Sequence, residues 1–360
     1  MFIPAVTSLV TFLLKRPSLA TRGLLVLLVA IAGCSQPKII SNEAHSIRDI
    51  DRDATADQRL PLPLTRQAEL KGVQVSHQDQ HTCGFAALAA MIHDKSYFVQ
   101  PSDLPGLDCY SSGQKGTSSV AVVNAGRGLG LLAYKLKPDL AHLLLQVEAG
   151  FPVLVLSHPM ASSESRDYFS VLTGYNLDRQ ELTLSSEIAG TESIDMQTFA
   201  TSWGRSGGWA YLFLEPGQTP VAAAPKDYLA ASLDLADIGL SVSAQKALEQ
   251  GIALWPESDA MRQALSNAYF QSGLLDSASD ILLDSPSLSR SGELWNRIAY
   301  IQQARQCYSS AFQAVQCAVT LSPDDLSIQQ SLQDILAKTD RPDGDTLCPQ
   351  LTCPQLVEGF

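Results

Sequence analysis

Residues 77–92 read HQDQHTCGFAALAAMI: a polar, His-rich loop runs into Cys83-Gly84, and an Ala-rich apolar segment follows. That segment predicts a helix from Cys83, and a thiol at a helix N-terminus sits at the positive end of the macrodipole, which favours its thiolate. A thiolate attacks a carbonyl carbon when a base takes its proton and donors hold the oxyanion that forms. Gln78, five residues upstream, could turn its side-chain amide toward that oxyanion. From the residues alone, a cysteine ahead of an Ala-rich helix is more often a small buried hydrophobe. His77-x3-His81-x-Cys83 could suggest a metal site, but these positions are better explained as the loop leading into a nucleophile. Cys348 and Cys353 lack the further ligands a metal needs, and no metal and no cofactor is expected.

A nucleophile needs elements to position it and its base. FPVLVLSHP, RDYFSVLTGYN, ELTLSSE and GGWAYLFLEP are rich in β-branched and aromatic residues and bounded by turn formers, which predicts strands; GVQVSH reads as a further short strand. With helices expected at CGFAALAAMIHD and SSVAVVNAGRGLG, the layout is α+β. His158 ends one expected strand and Asp167 begins the next. If those strands are antiparallel neighbours, both residues lie at one end of the sheet. His158 could then face Cys83 with Asp167 holding its ring, a Cys-His-Asp set. The other reading of His158 is a solvated strand-end histidine. His45 and His142 carry no such argument.

Gln78, Cys83-Gly84 and the run Ala86-Ala87-Leu88-Ala89 together resemble the start of the bacteriocin-processing (double-glycine leader) cysteine peptidases. The resemblance covers about 150 residues and implies a papain-like fold in which Gln78 supports the oxyanion hole and Cys83 attacks the scissile carbonyl. It is nearest to a lipoprotein branch that ends in tetratricopeptide-like repeats. Phe85 stands where a proline is common. The family's catalytic His opens a strand as His-Tyr, then apolar residues, then Gly-Tyr-Asp. This chain has Asp167-Tyr168-Phe169-Ser170-Val171-Leu172-Thr173-Gly174-Tyr175-Asn176, so Asp167 stands in the place of the histidine. The residue that would orient that histidine falls near Leu184-Ser185-Ser186-Glu187. From reference values, moving a thiol proton to a carboxylate is uphill by about 6 kcal/mol, so Asp167 is a poor base.

Upstream, residues 1–33 carry Lys15, Arg16 and Arg22 and no acidic residue, with an apolar run from Gly23 to Gly33. This is the layout of a signal peptide. Ile31-Ala32-Gly33-Cys34 resembles a bacterial lipobox, which implies lipidation of Cys34 and attachment to the outer membrane facing the periplasm. Residues 34–68 are polar and read as a tether. The full chain carries 25 basic and 37 acidic residues, a net charge of -12. Cleavage before Cys34 leaves 22 basic residues against the same 37 acidic ones, or -15, which argues against nucleic acid as a partner. An exported chain also places its cysteines where disulfides form.

Residues 69–216 are thus the expected peptidase-like domain, and GQTPVAAAPKD within 217–228 reads as a hinge. In 229–340, Leu248, Ala253, Leu254, Pro256, Leu265, Ala268, Tyr269, Gly273, Ala278 and Leu282 recur in an order that resembles the tetratricopeptide repeat. A second pass runs through Ala299, Tyr300, Ala311, Ala314, Ala318, Leu321 and Pro323. Residues 341–360 read as a loose tail. Cys348 could bridge Cys353, and Cys307 could bridge Cys317 across a helix pair, with Cys109 left over. The expected whole is a lipid-anchored envelope protein: a degenerate peptidase that binds a polypeptide through its old cleft and its repeats. The alternatives are a working cysteine peptidase using His158, His77 or His81, and a structural lipoprotein with a buried Cys83.

Overall fold

The apolar runs at 153–157 and 210–214 are continuous and do not alternate with polar residues, a pattern that needs a sheet covered on both faces. The computed structural model, which describes residues 64–73, 75, 83–92, 118–158, 167–187, 189–338, 341–344 and 347–353, has that arrangement. The signal-like segment, Cys34, His45, His77, Gln78, His81 and Cys109 lie outside the described residues, as does the side chain of Cys83.

Seven strands are described: β1 (Gln67–Glu69), β2 (Leu132–Lys135), β3 (Val153–Ser157), β4 (Tyr168–Asn176), β5 (Glu181–Ser186), β6 (Gly190–Asp195) and β7 (Ala210–Leu214). Their order is β2-β7-β3-β4-β5-β6, every pairing is antiparallel, and β1 adds to β4 beyond the point where β3 stops. Of the expected strand GVQVSH only Gly72, Val73 and Val75 are described, and the first described strand is Gln67–Glu69, at the edge of the expected tether. Its residues are polar and short of any apolar run, so only pairing with Gly174–Asn176 makes it a strand. β2 and β6 likewise had no signal strong enough to be read.

One face of the sheet packs α1 (Cys83–Ile92) and α2 (Ser119–Gly128), with Phe85, Leu88, Ile92 and Val122 against Leu154, Phe169, Val171 and Phe213. The other face packs α3 (Leu140–Glu148) and α4 (Met196–Arg205), through Leu143, Leu144, Phe199 and Trp203 against Val153, Val155, Leu172 and Leu212. A register shift between Leu172 and Gly174 resets the alternation of β4. Phe169 and Val171 therefore face α1, while Tyr175 joins the opposite core.

The Tyr175 hydroxyl donates to Glu148, whose carboxylate also accepts from Thr65 N at 3.3 Å and Thr65 Oγ1 at 2.8 Å. The hydroxyl of Tyr175, more than the Thr65 bonds, holds the Glu148 carboxyl below its ordinary value of 4.5. A lowered folded-state pKa means that the group stabilises the fold above the unfolded value and loses that contribution as pH falls through the folded one. At neutral pH, Glu148→Gln should cost about 1 kcal/mol or less, since the group is exposed. In urea melts, the gap between the two proteins should close as the pH is taken below 4.5; a gap that widens in acid would reverse the assignment.

The stretch read as a hinge is pinned. Gln146, fully buried, donates from Nε2 to Val221 O at 2.9 Å and accepts from Val221 N at 3.0 Å. Ala224 N donates to the Tyr134 hydroxyl at 3.1 Å, and Tyr228 donates to Gln218 O at 3.2 Å. Helix α5 (Pro225–Asp237) starts directly after, with proline in its first turn, where the missing N–H costs nothing.

Helices α6 (Ser241–Leu254), α7 (Asp259–Gln271), α8 (Leu275–Leu283), α9 (Gly292–Ala304), α10 (Tyr308–Leu321) and α11 (Leu326–Leu336) complete the described chain. Helices starting at Pro225, Asp259, Gly292 and Leu326 recur every 33 or 34 residues, the period of helix-turn-helix repeats. Three antiparallel pairs and one terminal helix result. The core of the sheet's second face continues without a break into Tyr228, Leu229, Leu248, Met261 and Leu265.

Within the expected tail, the described residues 341–344 and 347–353 are tied to α10 and to the turn before it. Gly344 N donates to Gln306 O at 3.0 Å, Ser310 Oγ to Pro349 O at 2.5 Å, and Leu351 N to Gln313 Oε1 at 2.9 Å. The disulfide joins Cys307 to Cys348, and neither expected pairing occurs. Cys307 and Cys317 flank and occupy the same helix, α10, about 15 Å apart, far beyond disulfide reach.

Candidate active site

Helix α1 begins at Cys83 and lies hard against β4. A Cβ on Gly84 would come 2.6 Å from Val122 Cγ2 and 3.0 Å from the Phe169 ring, so only glycine permits this approach. The backbone next to the thiol is thereby fixed over Phe169.

Phe169 pairs across the sheet with Leu156, and both pack on the α1 side. Two residues further along, about 7 Å away and one residue beyond each strand's end, come Asp167 and His158, which continued alternation would set on that same side. Ser157 is paired with Tyr168, so the next register position sets His158 opposite Asp167. His158 Nδ1 and Asp167 Oδ1 are 2.8 Å apart. An ionised carboxylate only accepts, so Nδ1 is the donor, and in the neutral ring Nε2 is then the acceptor. Both side chains are about one-third open to solvent, at 31% and 37%.

The backbone of His158 is clamped from α4. Its N–H donates to Ser202 O at 3.2 Å, and the buried Ser202 hydroxyl donates to His158 O at 2.5 Å. This support was not read from the sequence, although Phe199 and Trp203 at i, i+4 in MQTFATSWGR mark an amphipathic helix there. Trp209 packs at the neighbouring Leu156–Phe169 position: its ring meets Phe169 edge-on at 5.7 Å, and its carbonyl accepts from Leu156 N at 3.3 Å. Glu187, in the stretch where the resemblance implies an orienting residue, is buried just past β5.

The structure thus brings His158 and Asp167 together at the end of the β3–β4 strand pair, next to the Leu156–Phe169 pair. Gln78, His77 and His81 lie outside the described residues. His142 is far along the chain in α3, bonded to Asp139 at 2.8 Å at the helix N-terminus. Among the described residues no group of three or more His, Cys, Asp or Glu is placed to hold a metal ion. Chemically, an imidazole oriented by a carboxylate is a general base with its free nitrogen directed away from its holder.

No family model matches this chain, and no curated protein matches it. Among solved structures, the peptidase domain of Streptococcus ComA, a bi-functional ABC transporter of a quorum sensing pathway, is 18% identical over 40% of this chain and 98% of that one, with a TM-score of 0.34. A C39-like peptidase from Bacillus anthracis is 16% identical over 42% of this chain and 98% of its own, with a TM-score of 0.35. The first tetratricopeptide domain of Spaghetti, bound to an HSP90 peptide, is 16% identical over 32% of this chain and 91% of its own, with a TM-score of 0.29. The neighbours are of two kinds, each matching part of the chain.

Proposed function

We propose that this chain is a cysteine peptidase whose base has moved by one strand: Cys83 is the nucleophile, His158 its base, and Asp167 the residue that orients the imidazole. One observation carries this reading, the His158–Asp167 pair at 2.8 Å at the end of the β3–β4 strand pair. The resemblance of Gln78 and Cys83-Gly84 to the leader-peptide peptidases supports it by supplying an oxyanion donor and a thiol in the family's order. Asp167 in the histidine's place then marks a rearranged site, with the two roles exchanged between adjacent strands. From reference values, proton transfer from a thiol to imidazole is uphill by about 3 kcal/mol, half the cost of transfer to a carboxylate.

The reading extends to place and partner. Cys34 is the proposed lipid attachment, the periplasmic side of the outer membrane the proposed location, and a polypeptide the proposed substrate. The repeats would hold part of that polypeptide while the sheet end cuts it. A second reading is kept by the same substitution: with Asp167 where the family has its histidine, the site binds a polypeptide without cleaving it.

Mixed peptide libraries incubated with the full chain separate the two. Cleavage products that disappear in Cys83→Ala and after thiol alkylation support the peptidase. Tight binding that survives Cys83→Ala, with no products from either protein, favours the binding module.

A further inference from the structure

The final described stretch repeats itself: Cys348-Pro-Gln-Leu is followed directly by Thr352, and Cys353-Pro-Gln-Leu begins again. Residues 347–353 run as an extended strap along α10, in the same direction as the helix. Successive contacts climb one helix face. Cys348 is bonded to Cys307, Pro349 O accepts from Ser310, Gln350 Oε1 and Leu351 N both engage Gln313, and Cys353 packs on the cluster that contains Cys317. The steps 307, 310, 313 and 317 are the three- and four-residue spacing of one helix stripe.

The lengths agree. Ten residues of α10 from Cys307 to Cys317 rise about 15 Å. Five extended residues from Cys348 to Cys353 cover about 16 Å at most 3.3 Å each. A strap fastened at its first cysteine therefore delivers its second beside the second cysteine of the helix. The side chains of Cys317 and Cys353 are hydrogen-bonded to each other, Cys317 being buried at 2% exposure and Cys353 half-buried.

We propose that Cys317 and Cys353 form a second disulfide, so that the strap is stapled to α10 at both ends. The oxidant is a small-molecule or protein disulfide, RSSR. Cys353, the thiol that solvent reaches, attacks RSSR as thiolate, giving a Cys353–S–SR mixed disulfide and releasing one RS⁻. Cys317 then attacks the Cys353 sulfur, the protein S–S bond forms, and the second RS⁻ leaves. Two electrons pass from the two protein thiols to RSSR, and the two thiol protons end on the two RSH. Burial raises the Cys317 thiol above its ordinary value, so the second step is the slow one and quickens with pH.

The strap also has a structural task that the second bond serves. The last helix pair, α9 and α10, keeps apolar surface beyond that covered by Ile328 and Ile335 of α11, and a repeat array must cover such surface. Leu351 and Cys353 pack on the core formed by Trp295, Ile298, Val315 and Ala318, and so supply that cover.

The test oxidises the full chain with oxidised glutathione, quenches in acid, alkylates, and maps bonds by mass spectrometry after chymotrypsin. That protease cuts at Tyr308 and Phe312 between the helix cysteines and at Leu351 between the strap cysteines. The expected result is a Cys317–Cys353 peptide in addition to Cys307–Cys348, and at least tenfold slower thermolysin clipping of residues 347–353. Cys317→Ala should leave Cys353 as a stable glutathione adduct, whereas Cys353→Ala should leave Cys317 unmodified. A Cys348–Cys353 bond, two thiols still alkylated after prolonged oxidation, or unchanged clipping would each overturn the proposal.

Discussion

His158→Ala should lower kcat/KM for peptide hydrolysis by about 10³- to 10⁴-fold, with Cys83→Ala lower still; removal of one triad member from well-studied serine proteases costs this much or more. Asp167→Asn should lose on the order of 10²-fold or more, because the imidazole loses the acceptor that sets its tautomer. The sign of a third variant decides between the two readings of the site. If Asp167 holds His158, then Asp167→His removes the holder and lowers the rate. If Asp167 is only a lost base, the same change restores the family's residue and raises the rate from a low start. None of these effects is expected to come from unfolding, since both side chains are about one-third exposed and an exposed ion pair contributes about 1 kcal/mol or less. Progress curves on a cleaved library peptide, beside thermal melts of each variant, measure both quantities. Equal rates for the wild type and His158→Ala would remove His158 from the mechanism.

Tyr228→Ala should destabilise the whole chain by about 3–5 kcal/mol, the usual cost of emptying a large aromatic site in a core. Tyr228 is fully buried, its ring lies 5.5 Å from that of Trp255, and its hydroxyl reaches Gln218 O. It belongs to a cluster that also contains Leu132, Leu212 and Leu214 of the sheet. Loss of this side chain therefore loosens the α/β half and the first helix pair together. The full chain should unfold in urea as one transition by circular dichroism, shifted as a whole in the variant. A chain ending at residue 224 should bind a hydrophobic dye and melt without cooperativity, since β2 and β7 lose their cover. A truncated chain with a sharp, unshifted melt would show instead that the sheet half folds alone.

The strongest strands were legible because β3, β4, β5 and β7 are β-branched or aromatic runs closed by turn residues. The helix at Cys83 was legible from its alanines, and the repeats from small residues recurring at similar spacing. β1, β2 and β6 were not, because short or polar strands owe their conformation to the neighbour they pair with. The hinge failed as a reading for a related reason. Pro, Ala and Gly in 216–225 do mark a break in secondary structure. Whether such a break is free depends on partners distant in sequence, here Gln146 and Tyr134. The cysteine pairing was lost in the same way, since linking Cys307 to Cys348 requires that the tail fold back along α10.

By itself the sequence determined the residue types of the candidate site, a thiol ahead of a helix with an amide upstream and an Asp where the family has its histidine. It also set His158 and Asp167 at the facing ends of successive strands, and both lie one residue outside β3 and β4. Only the tertiary structure decided that those strands are antiparallel neighbours in a register that sets the two residues opposite each other. A one-residue slip in that register would have turned one side chain to the far face of the sheet, because side chains alternate with a period of two. Local composition sets which residues are available. Which of them meet is set by pairing and packing between segments far apart in the chain.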